Sequence, residues 1–206
     1  MGLKLERKVK YTFFNILSKI IPSRKISKIK LHEIKNILVL GQDRFGDTIL
    51  STPALEALRK FFPNSRIIFL SYFPYYRILL NNPNYDEIIV FNKKELKNLT
   101  NAIKFIKSIR KYNFDLAISF CTYPIKLTNA LLGLISKAKY RIAYEYTHKI
   151  TNEINEIGMN KFFFNILVPP PSEEIHVIEW NLRLVEYIGF NCNEIDKKPK
   201  IFLTNE

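Results

Sequence analysis

The sequence predicts a doubly wound α/β fold, in which helices cover both faces of a parallel sheet. Five short apolar runs, at residues 37–40, 66–70, 87–91, 116–120 and 140–143, have the length and the Ile, Val and Phe content of buried strands. Between them lie stripes at helical spacing: Leu50, Ala54, Ala57, Leu58 and Phe61, then Leu96, Leu99, Ile103 and Ile106, then Leu127, Ala130, Leu131 and Leu134. Strands that alternate with helices are joined by crossovers, and right-handed crossovers make neighbouring strands parallel. Size agrees, since 206 residues, 47% hydrophobic and 25% charged, are enough for one globular core.

Taken in order, the chain opens with a basic arm. Residues 1–36 hold ten Lys and Arg against Glu6 and Glu33, which is +8 of the formal +13. Val9, Phe13, Ile16, Leu17 and Ile20 fall on one face of a helix, with Lys8, Thr12, Asn15 and Lys19 opposite. A basic amphipathic helix suits an anionic membrane surface, and residues 1–34 are read as such an arm. The alternative packs its apolar face on the domain and leaves the lysines solvated. No run reaches 18 apolar residues, Lys19 interrupts the apolar stretch, and no small-residue cleavage site follows Ile21. Neither a transmembrane span nor a signal peptide is expected.

The same inventory narrows the partners. No helix-turn-helix, zinc-finger or RNP pattern accompanies the basic charge, so nucleic acid is not the expected partner. Cys121 and Cys192 are far apart, as in a protein of a reducing compartment. His32, His148 and His176 are scattered, and no structural metal site is expected.

The domain is predicted over residues 35–190. After its first strand comes the loop Gly41-Gln42-Asp43-Arg44-Phe45-Gly46-Asp47-Thr48, and Pro53 lies near the start of the helix that follows. Open α/β sheets bind ligands just beyond the carboxyl ends of their strands, which makes this loop the candidate site. It has P-loop spacing, but Asp47 fills the lysine position, where a carboxylate would repel phosphates. No three glycines have the dinucleotide-binding spacing either. Two readings of Asp47 stand: an acid placed to work on a hydroxyl or a cation, or a helix N-cap or first-turn acid favoured by the helix dipole. Asp43 and Asp47 also raise a glycosidase pair, a chemistry that depends on the separation of two carboxyls in space.

Farther along, Asp86 and Asp115 each precede a strand and are read as structural turn residues. Residues 145–171, rich in Asn, Glu and Phe and ending in Pro169-Pro170-Pro171, read as a long loop or partly helical excursion of a functional kind. Phe162, Phe163 and Phe164 within it are expected in the core. A last helix is predicted over 174–187, stopped by Gly189. His176 and Glu179 are one turn apart there, and His176 is read as a helix-start or cleft-lining residue, not a metal ligand. Residues 191–206 read as a linker toward a further domain.

The stretch from Asp43 to Leu55 resembles the D-R-[hydrophobic]-G-D-x-x-L-[ST]-T-P-A-L signature of family 9 glycosyltransferases, the lipopolysaccharide heptosyltransferases. Further elements follow in the family's order: Phe62-Pro63-Asn64-Ser65-Arg66-Ile67, Asn82-Pro83-Asn84-Tyr85-Asp86-Glu87-Ile88-Ile89, Phe114-Asp115-Leu116-Ala117-Ile118, and His176 with Asn181 and Gly189. Arg141-Ile142-Ala143-Tyr144 departs from it, with alanine where the family usually has glycine. The resemblance implies the N-terminal, Rossmann-like half of a GT-B enzyme. It implies inverting transfer of a heptose or related sugar from a nucleotide-diphosphate donor, such as ADP-heptose, to a lipid A-linked core saccharide, without a metal. Asp47 matches the general base, and Asp43, Arg44, Gly46 and Thr48 would bind or orient the acceptor. An ordinary aspartate, with a pKa near roughly 4, is ionised at neutral pH and is a weak base. The expected location is the cytoplasm, peripheral on the inner face of the cytoplasmic membrane. The competing reading is a catalytically incomplete fragment, or an acceptor-binding module that needs a separate C-terminal donor-binding half.

Overall fold

The computed structural model describes residues 26, 28–41, 44–120, 127–145 and 162–202. The amphipathic helix of the arm, Asp43 and most of the 145–171 excursion lie outside them. Among the described residues one parallel sheet is formed by β1 (Asn36–Leu40), β2 (Arg66–Tyr72), β3 (Glu87–Phe91), β4 (Leu116–Ser119), β5 (Tyr140–Tyr144) and β6 (Ile166–Val168). Their order is β3-β2-β1-β4-β5-β6. The chain steps outward from β1 to one edge, returns to β4, and steps outward to the other. That reversal between β1 and β4 is the switch point of a doubly wound, Rossmann-like sheet, the fold class expected from sequence.

β1 shows why both faces are covered. Ile37, Leu38, Val39 and Leu40 are all fully buried, as in a central strand of a parallel sheet. Successive side chains alternate, so Ile37 and Val39 join Ile67, Phe69, Leu116 and Ile118 on one face. Leu38 and Leu40 join Ile68, Leu70 and Ala117 on the other. Helices α1 (Phe45–Leu50), α2 (Thr52–Phe61) and α5 (Val177–Tyr187) cover the first face. Helices α3 (Leu99–Arg110) and α4 (Leu127–Ile135) cover the second, together with Phe162, Phe163 and Phe164.

Three expectations change. β6 lies inside the stretch read as a loop or helix, paired with β5 from Ile142–Ile166 to Tyr144–Val168. Three residues are too short to show a period. The first helix is two helices, because Pro53 has no N–H for the Ile49 carbonyl. The Thr52 hydroxyl donates to that carbonyl at 2.8 Å, and the Ser51 hydroxyl donates to Thr48 O at 2.7 Å. On α3, Leu99 and Ile103 are 75% and 44% exposed, whereas Ile109 is fully buried. Phe105 and Ile109, with Tyr112 just past the helix, make the contact line there, and Phe105 meets Phe91 edge-on.

Packing extends beyond residues 35–190 at both ends. Ile26 N–H donates to Asn165 O at 3.0 Å, Lys30 N–H donates to the Tyr140 hydroxyl at 3.2 Å, and Ile34 is buried. Cys192 and Ile195 are buried, and Lys200 N–H donates to Thr52 Oγ1 at 3.0 Å. Burial pushes the Cys192 thiol up to about 12, so this cysteine behaves as a packing group. Gly189, at φ +114°, ends α5 as expected: its N–H reaches Glu186 O and that of Phe190 reaches Val185 O.

The register of the sheet is tied at its N-terminal edge by three short polar side chains, each just before a strand. Asp86 Oδ2, before β3, accepts from Ile67 N–H at 2.7 Å and from Arg59 Nη2 at 2.6 Å. Asp115 Oδ2, before β4, accepts from Lys35 N–H at 2.8 Å and Asn36 N–H at 2.9 Å. Asn165 Oδ1, before β6, accepts from Arg141 N–H at 2.7 Å, and its amide donates to Lys139 O at 2.8 Å. The structural reading of both aspartates is therefore observed. Asp115→Ala is expected to cost about 2–3 kcal/mol by stranding two backbone donors at the start of β1, and Asp115→Asn clearly less. Denaturant unfolding of the two variants checks this.

Candidate functional site

The candidate loop begins at Gly41, at the carboxyl end of β1. A Cβ there would stand 2.5 Å from Phe69 Cε1 and 2.6 Å from the Leu70 carbonyl oxygen, so only glycine fits. Gly41 N–H donates to Leu70 O at 2.8 Å. Its carbonyl accepts from Asn129 Nδ2 at 3.0 Å, and Asn129 Oδ1 accepts from the Tyr72 hydroxyl at 2.5 Å. Asn129 lies on α4 and is buried. The point from which the loop leaves the sheet is thus held by β2 and by the helix across the switch point. Sequence reasoning missed both residues. The available signal was a polar Asn129 among Leu127, Ala130 and Leu131.

Arg44 occupies the N-cap position of α1 with extended backbone angles and no side-chain cap. Its carbonyl accepts from Thr48 N–H at 3.1 Å and from the Thr48 hydroxyl at 2.8 Å. Asp47 is therefore the third residue of the helix and not its cap. Its Oδ2 is buried and accepts no hydrogen bond, and its carboxylate pairs with no cation among the described residues. An acid present only to cap would accept an N–H. It is the first-turn acid of the second reading, favoured there by the helix dipole, and a half-buried carboxylate with no hydrogen bond among the described residues, able to take a proton or meet a cation.

The surroundings are open and mixed in character. Arg44 and Gly46 are exposed, and a Cβ on Gly46 would meet nothing within 4 Å. The turn Tyr75–Leu79 packs against α1. Phe45, Phe73 and Leu80 stand exposed beside it at 57%, 51% and 41%. Thr48 is buried, and its hydroxyl donates to the Arg44 carbonyl. Of the predicted site residues, Arg44, Gly46 and Asp47 come together at the surface, Thr48 lies beneath them, and Asp43 is outside the described residues. His176 is the N-cap of α5, its Nδ1 accepting from Ile178 N–H at 3.3 Å, while Glu179 pairs with Lys197 at 2.6 Å. That pair is engaged in the helix start and an ion pair.

The comparisons follow the same lines. No family model matches the chain. It is 28% identical over 147 residues to lipopolysaccharide heptosyltransferase 3 of Escherichia coli K12, covering 70% of this chain and 40% of that protein. A family 9 glycosyl transferase structure from Veillonella parvula superposes with a TM-score of 0.63 at 19% identity, covering 88% of this chain and 48% of the other. The E. coli heptosyltransferase WaaC with ADP gives 0.61 at 13% identity, covering 78% of this chain and 49% of the other. The chain is similar in sequence to a lipopolysaccharide heptosyltransferase and shares the fold of a family 9 glycosyl transferase structure. It spans half or less of the length of these relatives. No described helix is long and apolar enough to cross a membrane.

The tight seat of Gly41 yields a stability test of this geometry. Gly41→Ala is expected to destabilise the domain by about 1–3 kcal/mol through overpacking against Phe69 and the β2 backbone. Gly46→Ala, with open space around it, should leave the thermal midpoint close to that of the parent. Parallel thermal melts of the two variants check the contrast.

Proposed function

We propose that this domain supplies the acceptor side and the general base of an inverting sugar transfer. The donor is a nucleotide-diphosphate sugar such as ADP-heptose, and the acceptor is a lipid A-linked core saccharide. The observation that carries the reading is Asp47: a carboxylate at the switch-point edge with no hydrogen bond among the described residues, beside an exposed rim, in the motif that resembles the family signature. A solved relative in fold, the E. coli heptosyltransferase WaaC, was determined with ADP-2-deoxy-2-fluoro heptose, which supports the donor class.

In this mechanism an acceptor hydroxyl sits against Asp47 and gives up its proton to the carboxylate as its oxygen bonds to the anomeric carbon. The bond from that carbon to the diphosphate breaks on the opposite side, which inverts the centre. A weak base suffices because the hydroxyl becomes acidic only as the new bond forms. Arg44 meets an anionic group on the acceptor, and Gly46 leaves the first turn of α1 bare for its approach. The nucleotide and pyrophosphate are held opposite by a second, C-terminal domain, and the reading assigns no metal to this half. Holding both partners in line lowers much of the barrier in such a two-substrate reaction.

With a donor-binding half supplied, Asp47→Asn is expected to lower transfer by about two to four powers of ten. The thermal midpoint should hardly move, because the side chain makes no hydrogen bond to the described residues and the amide oxygen of Asn can still accept one. Near-full transfer by the Asn variant would reduce Asp47 to a bystander.

The basic arm gives the reading its location, on the inner face of the cytoplasmic membrane. Packing reaches back to Ile26, so a deletion that spares the domain removes residues 1–25. That deletion should weaken binding to anionic vesicles and leave the fold intact, and binding by the intact chain should fall as salt rises. Vesicle cosedimentation at two salt concentrations measures both effects. Equal binding with and without the arm would assign its apolar face to the protein.

A further inference from the structure

Buried polar groups nearly always find partners, so the exceptions are informative. Among the described residues six buried side-chain atoms lack one: Asp47 Oδ2, Arg59 Nε, Ser71 Oγ, Asn82 Nδ2, and both Nδ2 and Oδ1 of Asn181. Arg59 and Asn82 are otherwise engaged, through Asp86 and Ser65 O for the first and Asn84 N–H for the second. The other four atoms belong to Asp47, Ser71 and Asn181.

These three residues lie on α1, on β2 and on α5, on one face of the sheet. Asp47 is on α1. Ser71 is fully buried at the carboxyl end of β2, two residues on from Phe69, which turns its hydroxyl to the same face of the sheet, the one that α1 helps to cover. Asn181 is fully buried in the second turn of α5, and α5 packs against both α1 and α2. Because α5 follows β6, its first turns lie at the C-terminal edge of the sheet, the edge at which Asp47 stands. The chemistry of the set is complementary. A carboxylate oxygen only accepts, an amide nitrogen only donates, and a hydroxyl does both. A buried water characteristically bridges two to four such groups.

We propose that Asp47 Oδ2, Ser71 and Asn181 enclose one ordered water beneath α1. The water donates to Asp47 Oδ2 and accepts from the Asn181 amide and the Ser71 hydroxyl. Asn181 and Ser71 are then positioning residues: they hold one carboxylate oxygen inward and leave Oδ1 turned to the rim. The positioning role rests on the reading of Asp47 as the base, whereas the water site does not.

A double-mutant cycle on the full chain tests the site without any sugar transfer. Asn181→Leu removes an amide whose Oδ1 has no partner among the described residues, at similar volume, but takes a partner from the water and so strands Asp47 Oδ2. Made in an Asp47→Ala background, the same change strands nothing. The gain in thermal midpoint from Asn181→Leu should therefore be larger in the Asp47→Ala background, by roughly 2–6 °C for a domain of this size. Ser71→Ala should couple to Asp47→Ala with the same sign and serves if the leucine variant fails to fold. Equal shifts in both backgrounds, within about 1 °C, would overturn the shared water. In a transfer assay with the donor-binding half supplied, Asn181→Leu should lower kcat about tenfold or more with KM little changed. Coupled melts with unchanged kcat would keep the water and overturn the positioning role. Coupled melts with a fully active Asp47→Asn variant would instead overturn the catalytic reading.

Discussion

Parallel strands are joined by long crossovers, which leave their register to be set by something other than a turn. Here short polar side chains at the N-terminal edge do it. Asp86, Asp115 and Asn165 each precede one strand and accept a hydrogen bond from the backbone near the start of the strand beside it. A one-residue slip would turn Ile37 and Val39 to the wrong face and carry Leu38 and Leu40 with them, so every helix contact depends on that register. Because the clips all lie at one edge, the opposite edge carries few structural duties. That is the edge at which the chain exposes Arg44, Phe45 and Gly46.

Carboxylate groups are satisfied more completely at one edge than at the other, although Arg59 Nε beside Asp86 also has no partner among the described residues. At the N-terminal edge, Asp115 Oδ2 accepts two N–H bonds and Asn165 uses both ends of its amide. Around α1, Asp47, Ser71 and Asn181 hold buried atoms without a bond. Natural proteins break local rules chiefly at functional sites, and the cost is carried by consistency elsewhere. The Tyr72–Asn129–Gly41 chain shows that consistency at close range, since it anchors the start of the loop while leaving its far end unconstrained.

The comparisons liken this architecture to proteins about twice as long or more. Low identity with solved relatives supports the fold alone, and the apolar pattern of the sheet tolerates that divergence because hydrophobic residues of similar size interchange within a strand. Chemistry is less tolerant, and the functional reading therefore rests on one carboxylate and its surroundings instead of on likeness. The exposed Phe45, Phe73 and Leu80 give the rim beside Asp47 an apolar character that the basic charge elsewhere in the chain does not share.

The sequence by itself determined the fold class, five of the six strands, the place of the candidate loop and the structural role of Asp86 and Asp115. Those features depend on local patterns: runs of buried residues, helical spacing, and polar residues before strands. It also carried the family resemblance, through a contiguous motif. Tertiary structure decided what local patterns cannot hold. β6 is three residues long and exists because β5 offers it a ladder of unpaired backbone groups. The turn of α3 that meets the sheet depends on where Phe91 and Phe114 lie, not on the spacing of Leu99 and Ile103. That Asp47 makes no capping bond, that Gly41 admits no side chain, and that Asn129 and Asn181 reach toward the same edge from different helices are facts about groups far apart in sequence. Only packing brings them together.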